Sequence, residues 1–384
     1  MLEKLKKIDW FVVVILAVLM AISTVVVHSA TVNNPMFKNT DVKNVINYAV
    51  GFVVFFAAAL FNYRLLVKGA PYLYAFGIAL LVAVYLIGSE THQSRSWFEL
   101  PYGFSFQPAE LMKLLVIIAI AAYLERRGGE PLGFWRDIVP IGIIVLVPFV
   151  LVVIQPDLGN AIIFLAILIV MYWIGNIKYS HVLIGTALIV GAVVLFFFLF
   201  QKYYVPLTDY LEANNMDKWV RRLERIQTFI DPESVSFNAK YQVNNSIRAI
   251  GSGGLAGEGY MMGDSVQKGF VPYVYSDSIF VVIGEEFGFV GASALLLIYF
   301  LLIYRMIHTA IQTQDRTGSY IIVGITSMFV FQVFENIGML IGIMPLTGIT
   351  LPFVSYGGTS LIINMMSLGL VTSIGIHQPK PSMY

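Results

Sequence analysis

The stretch Tyr273–Phe289, YVYSDSIFVVIGEEFGF, runs directly into Val290–Tyr304, VGASALLLIYFLLIY. The second piece, extended back through the apolar residues of the first, is long enough for a bilayer span, which takes ~20 mostly apolar residues. Yet the first piece carries three carboxylates, Asp277, Glu285 and Glu286. An insertion cost of at least ~2.5 kcal/mol for each carboxylate placed in a span makes charge at this mouth a signal of function.

The rest of the chain is of the same kind. Of 384 residues, 58% are hydrophobic and 12% charged, against ~25% charged in a soluble domain. There is no cysteine, which excludes disulfides, Fe–S clusters and thiolate metal sites. A net charge of +1, carried in loops, gives no footprint for nucleic acid. The first apolar run is too long for a signal peptide and has no small-residue cleavage site, so it reads as a retained anchor. No repeat or low-complexity tract is visible.

Hydropathy predicts an all-α integral membrane protein forming a single membrane domain over 1–384. Ten spans are expected near 10–30, 45–62, 72–89, 106–124, 138–154, 160–176, 181–201, 278–304, 319–343 and 353–376. Between the seventh and eighth, residues 202–277 are polar and read as one large loop. Orientation follows from basic residues in the short loops. One side holds twelve: Lys4, Lys6, Lys7, Arg64, Lys68, Arg126, Arg127, Arg136, Lys178, Arg305, Arg316 and Lys380. The other holds Lys38, Lys43 and Arg95. Both termini are therefore expected in the cytoplasm and the large loop outside.

Depth estimates gather the costly residues. At ~1.5 Å per residue, Lys113 lies ~10 Å below the outer end of the fourth span, with Glu110 one turn above it on the same face. Glu285 and Glu286 lie ~12 Å down the eighth span by the same rise, and Glu335 and Asn336 ~12 Å down the ninth. Charges on non-adjacent spans at one depth usually share a cavity, here open to the outside. For Glu110 and Lys113 a structural ion pair fits equally well; for Glu285 and Glu286 the rival is the capping of a helix end.

Two outer turns adjoin this layer. QPDLGNA (Gln155–Ala161) joins two spans almost without a loop, and Asp157 is placed to cap the sixth. MPLTGITLPFVSYGGTS (Met344–Ser360), which includes Ser355, is irregular, and irregular backbone at membrane depth belongs where it is protein-buried or lines a wet cavity. In the large loop, DKWVRRLERIQTFI (Asp217–Ile230) has an apolar side opposite Arg221, Arg222 and Arg225. That is a basic amphipathic helix, suited to membrane lipids at the interface or to capping the bundle. The Gly-rich run after Arg248 fits neither Walker nor Rossmann spacing; a flexible loop explains it as well as a phosphate contact does.

Five blocks in order, FSFQPAELMK, QPDLGNA, YQ…SIRAIGSGGLAGEG, SDSIFVVIGEEFGFVG and NIGMLIGIMPLTGITLPFVSYGGTS, resemble the signature blocks of the SEDS family (RodA, FtsW and SpoVE). The resemblance covers nearly the whole chain and leans to the RodA side. It implies a peptidoglycan glycosyltransferase that polymerises lipid II at the outer face of the bacterial plasma membrane, beside a class B penicillin-binding protein. It also implies that Asp277 is the essential carboxylate, although Ser276 and Ser278 stand where the family usually has Thr and Phe, and Asn160 where Thr is common.

Joining two lipid-linked sugars with inversion needs one general base on the acceptor hydroxyl, for which Asp277 is the candidate. It also needs positive charge near the departing diphosphate, for which Lys113, Arg248, Arg221 and Arg222 are candidates; a divalent cation (Mg or Mn) could accompany the diphosphate. Two other functions compete. A flippase would carry polar groups on through the inner leaflet, where this chain has almost none. A non-catalytic scaffold for the penicillin-binding protein would tolerate neutralising Asp277.

Overall fold

The computed structural model describes residues 6–33, 37, 40–91, 94–100, 104–214, 216–231 and 237–378. Helix α1 (Trp10–Thr31) begins at Asp9, whose carboxylate accepts from the Phe11 N–H and so satisfies a first-turn donor. Then come α2 (Thr40–Leu60), the short α3 (Tyr63–Lys68) and α4 (Ala70–Ile87). An antiparallel sheet follows, made of β1 (Ser89–Thr91), β2 (Ser94–Leu100) and β3 (Phe104–Phe106), with Ser89 opposite Trp97 and Glu99 opposite Ser105. The all-α expectation is corrected by this sheet, which a hydropathy window of ~19 residues passes over.

Helix α5 (Pro108–Glu125) leads through a π-turn at Phe134–Ile138 into α6 (Val139–Ile154), α7 (Leu158–Ile174) and α8 (Tyr179–Ala213). The large loop contains α9 (Asp217–Ile230), α10 (Phe237–Ser252) and the single turn α11 (Asp264–Gln267). The chain closes with α12 (Ile279–Gln312), α13 (Arg316–Leu340) and α14 (Gly358–Ile376). Eight of the described helices are long and apolar enough to cross a membrane, against ten expected. The two others are α5, which carries Glu110, Lys113 and Glu125, and α7, which is 17 residues long.

The centre of the bundle is formed by α13 and α14, buried over most of their length. Helix α2 presses so closely on α14 that a Cβ on Gly369 would stand 2.5 Å from the Phe55 carbonyl oxygen. Helix α5 is enclosed by α4, α6, α7 and α13, which keeps its charges off lipid. By contrast α8 stands apart from the bundle, with α9 as its packed neighbour. It also runs twelve residues past the span expected to end at 201. Its apolar face continues through Tyr203, Tyr204 and Leu207, which meet Leu223 of α9.

Helix α12 is broken at Gly288, where φ is 63°. The Gly-rich run Gly253–Gly259 packs into the break. The N–H groups of Phe289 and Val290, which in a continuous helix would bond to Glu285 and Glu286, donate to the Gly254 and Leu255 carbonyls at 2.9 and 3.1 Å. The carbonyls of Glu285 and Glu286 accept from Glu258 and Gly259 at 2.9 and 3.1 Å. Both missing helical bonds are thus replaced at each end, the condition for irregular backbone at membrane depth. A Cβ on Gly257 would lie 2.2 Å from the Glu286 carbonyl oxygen. Close approach to α12 accounts for that glycine without any phosphate.

Candidate active site

A cavity of about 710 Å³ opens at one end of the bundle. Among the described residues its walls come from the segment before α12 (Tyr273, Tyr275, Asp277), the 346–350 and 356–360 stretches, the α6–α7 turn (Pro156, Asp157), the sheet (Trp97, Glu99), α2 (Lys43, Asn47), α5 (Glu110) and α10 (Gln242). Among the described lining residues four are carboxylates, Glu99, Glu110, Asp157 and Asp277, and one, Lys43, is a cation.

Asp277 is held from behind. The Asn336 amide donates to the Asp277 carbonyl at 2.7 Å and to the Ile349 carbonyl at 2.6 Å. One fully buried side chain therefore ties the start of α12 to the opposite wall. Across that wall Gly348 has φ +76°, and a Cβ there would stand 3.5 Å from Asp277 Oδ2; glycine allows both the backbone turn and the approach. The Tyr273 carbonyl accepts from the N–H groups of Ser276 and Ser278 at 2.9 and 3.3 Å, closing the turn that presents Asp277.

The Gln155–Ala161 turn forms the floor. Asp157 caps α7 by accepting the Asn160 N–H at 3.2 Å, and it also accepts from the Asn160 amide at 3.0 Å and Gln107 Nε2 at 2.6 Å. Asn160 in turn accepts from Lys113 Nζ at 2.8 Å, and Lys113 lies 3.0 Å from Glu110. Lys113 is fully buried and does not line the cavity. It acts from beneath, through Glu110 and Asn160.

Of the residues expected in one layer, Glu110 lines the cavity, as do Asp157 of the adjoining turn and Asp277 at the mouth of α12, while Lys113, Glu285, Glu286, Glu335 and Asn336 stand behind or away from it. Glu285 accepts the Ser265 and Val266 N–H groups at 2.7 and 3.0 Å. Glu286 Oε1 accepts from Ser29 Oγ at 2.6 Å and Gln267 Nε2 at 3.1 Å. This pair fastens the large loop to α12 and α1. Glu335 is fully buried on α13 beside Thr347, within electrostatic reach of Lys113 and Asp157. Ser355 is buried and accepts the Leu351 N–H at 2.8 Å, shaping its loop. Arg248 is exposed on α10 and outside the cavity lining. The side chains of Arg221 and Arg222 lie outside the described residues.

This arrangement can be set beside known proteins. Residues 4–380 match the sequence profile of the FtsW–RodA–SpoVE family, described as cell cycle protein. The chain belongs to this family. It is 32% identical to stage V sporulation protein E of Bacillus subtilis, over 95% of this chain and 96% of that protein. It is 34% identical to peptidoglycan glycosyltransferase MrdB of Escherichia coli K12, over 97% and 94%. A solved chain from work on polymerization and crosslinking by a peptidoglycan synthase complex superposes with TM-score 0.79 at 28% identity, covering 97% of this chain and 99% of that one. The rod shape determining protein RodA of Thermus thermophilus superposes with TM-score 0.67 at 27% identity, covering 96% of each.

Within this family member the cavity has features that reading the sequence missed. Lys43 counts in the sequence as one loop lysine, yet it sits four residues before Asn47, and both line the cavity; that i,i+4 spacing is the signal that could have found it. Tyr275 and Tyr356 also line the cavity. The Tyr356 N–H donates to the Tyr275 carbonyl at 3.0 Å, a pairing across eighty residues that no local pattern announces.

Proposed function

We infer that this chain is a peptidoglycan glycosyltransferase that joins lipid-linked disaccharide units, lipid II and the growing glycan chain, into strands. The observation that carries the reading is Asp277, backed by Asn336 at the edge of a sugar-sized cavity, in a chain whose relatives are peptidoglycan glycosyltransferases. Its carboxylate takes the proton from the acceptor hydroxyl as that oxygen attacks the donor's anomeric carbon. The bond from that carbon to the diphosphate breaks on the opposite face, and its electron pair leaves with the diphosphate. Lys43, the cation among the described lining residues, faces the charge that grows there. Glu110 and Asp157 are stiffened by Lys113, Asn160 and Gln107 and accept hydrogen bonds from sugar hydroxyls. Among the described residues no group of three His, Asp or Glu is arranged to hold a metal, so no step is assigned to one.

The same reading places α5 and α7 in the membrane with the eight other long apolar helices, giving ten spans. Both termini face the cytoplasm and the large loop lies outside the plasma membrane, where lipid-linked sugars are polymerised. A class B penicillin-binding protein is the expected partner, and α9 lies along anionic lipid headgroups. The test is polymerisation of purified lipid II by the wild type and Asp277→Asn, alone and with that partner. Polymer from the wild type alone supports the assignment. Equal polymer from both removes Asp277 from the chemistry, and none from either favours a flippase.

A further inference from the structure

The cavity wall next to Asp277 is aromatic. The Tyr275 ring, two residues before the carboxylate, has its centroid 6.1 Å from that of Tyr356, at an interplanar angle of 59°. Phe37 backs Tyr275 with ring centroids 4.3 Å apart. The backbone bond from Tyr356 to Tyr275 holds together the two segments that carry these rings. Burial, with the nearby Asp277 charge adding to it, pushes the Tyr275 phenol above its ordinary range, so the ring stays neutral. Aromatic rings together with carboxylates and amides (Glu110, Asp157, Asn47) in the cavity lining make a composition suited to one class of ligand. A pyranose has an apolar face of C–H bonds, whose positive hydrogens meet the negative face of a π-system, and an equatorial belt of hydroxyls that donate to carboxylates.

We propose that Tyr356 and Tyr275, backed by Phe37, form a stacking platform for the acceptor pyranose, holding its ring so that its attacking hydroxyl faces Asp277. The proposal rests on the glycosyltransferase reading for the name of the sugar, but the platform itself is testable without turnover. Carboxylates alone would hold a polyol in many orientations. A ring stacked on a fixed aromatic pair has its hydroxyls at set heights, and the one reaching past the edge of Tyr275 meets the carboxylate two residues along the chain.

The experiment measures saturation transfer by NMR from the detergent-purified full chain to a soluble N-acetylglucosaminyl-N-acetylmuramic acid disaccharide. Wild type, Tyr356→Phe and Tyr356→Leu are compared, with melting temperatures as the folding control. Transfer concentrated on the C–H protons of one sugar face is expected. Affinity should fall in the order Tyr, Phe, Leu, with a loss of ~2- to 10-fold at Leu, the range for one aromatic contact. With lipid II the Leu variant should raise KM by a similar factor and change kcat less. If Tyr356→Leu does not purify as a folded protein, Tyr275→Leu reads the same platform. Equal affinity for the Phe and Leu variants, or transfer spread evenly over the sugar, would overturn the proposal. Aromatic-dependent binding without polymer from the wild type would keep the platform and remove the glycosyltransferase reading.

Discussion

Asp277 and the Glu285/Glu286 pair sit eight residues apart on one stretch of chain, and they do different things. Asp277 faces a cavity, and Asn336 anchors it through its backbone carbonyl. Glu285 and Glu286 are sealed from the cavity and accept hydrogen bonds from the loop and from α1. Depth and charge do not separate the two cases. What separates them is what each side chain reaches: Asp277 lines the cavity, where a substrate can meet it, whereas Glu285 and Glu286 are buried against the loop and α1.

Neutralising each side of this comparison should give opposite signatures. Asp277→Asn should lower the polymerisation rate by about 10²- to 10⁴-fold, the range for a general base, with the melting temperature little moved. A melting temperature that fell along with the rate would erase the contrast. Asn336→Ala comes next. It frees two carbonyls and loosens the wall behind Asp277, and a loss of about 10²-fold, falling on kcat more than KM, is expected for a misplacement near 1 Å. Glu285→Gln keeps the shape but loses charge-assisted bonds to two N–H groups. It should destabilise by about 1.5–3 kcal/mol, seen as a lower melting temperature, while the folded fraction turns over normally. Turnover lost at full stability would move Glu285 into the chemistry. The smallest effect is assigned to Lys43→Gln: about a tenfold rise in KM, or ~1.4 kcal/mol, with the salt dependence of KM weakened as one charge is removed.

Much of the fold could be read because bilayer spans and amphipathic faces are patterns within one element. The α9 helix occupies the predicted Asp217–Ile230, since its apolar side repeats at helical spacing. Asp157 caps α7 as its place in the turn implied. The site was harder to read. Lys113 was expected among the diphosphate ligands because depth can be counted along a helix, but the direction of its Nζ is set by Asn160, on another helix. The role of Glu285 depends on N–H groups twenty residues upstream, brought back by a loop whose path no periodicity encodes. Asp277 stands out in the sequence as a costly carboxylate, but its role comes from resemblance to a family, since its neighbours Asn336 and Gly348 come from the far end of the chain.

The break at Gly288 bears on how the protein is made. The groups that complete α12 belong to residues 254–259, which leave the ribosome before α12 does. When the helix emerges, its partner has already been synthesised, so the unpaired carbonyls of Glu285 and Glu286 and the N–H groups of Phe289 and Val290 need face hydrocarbon only briefly. Reversing the order of these two segments by circular permutation, with every residue retained, would put the defect into the membrane ahead of its remedy.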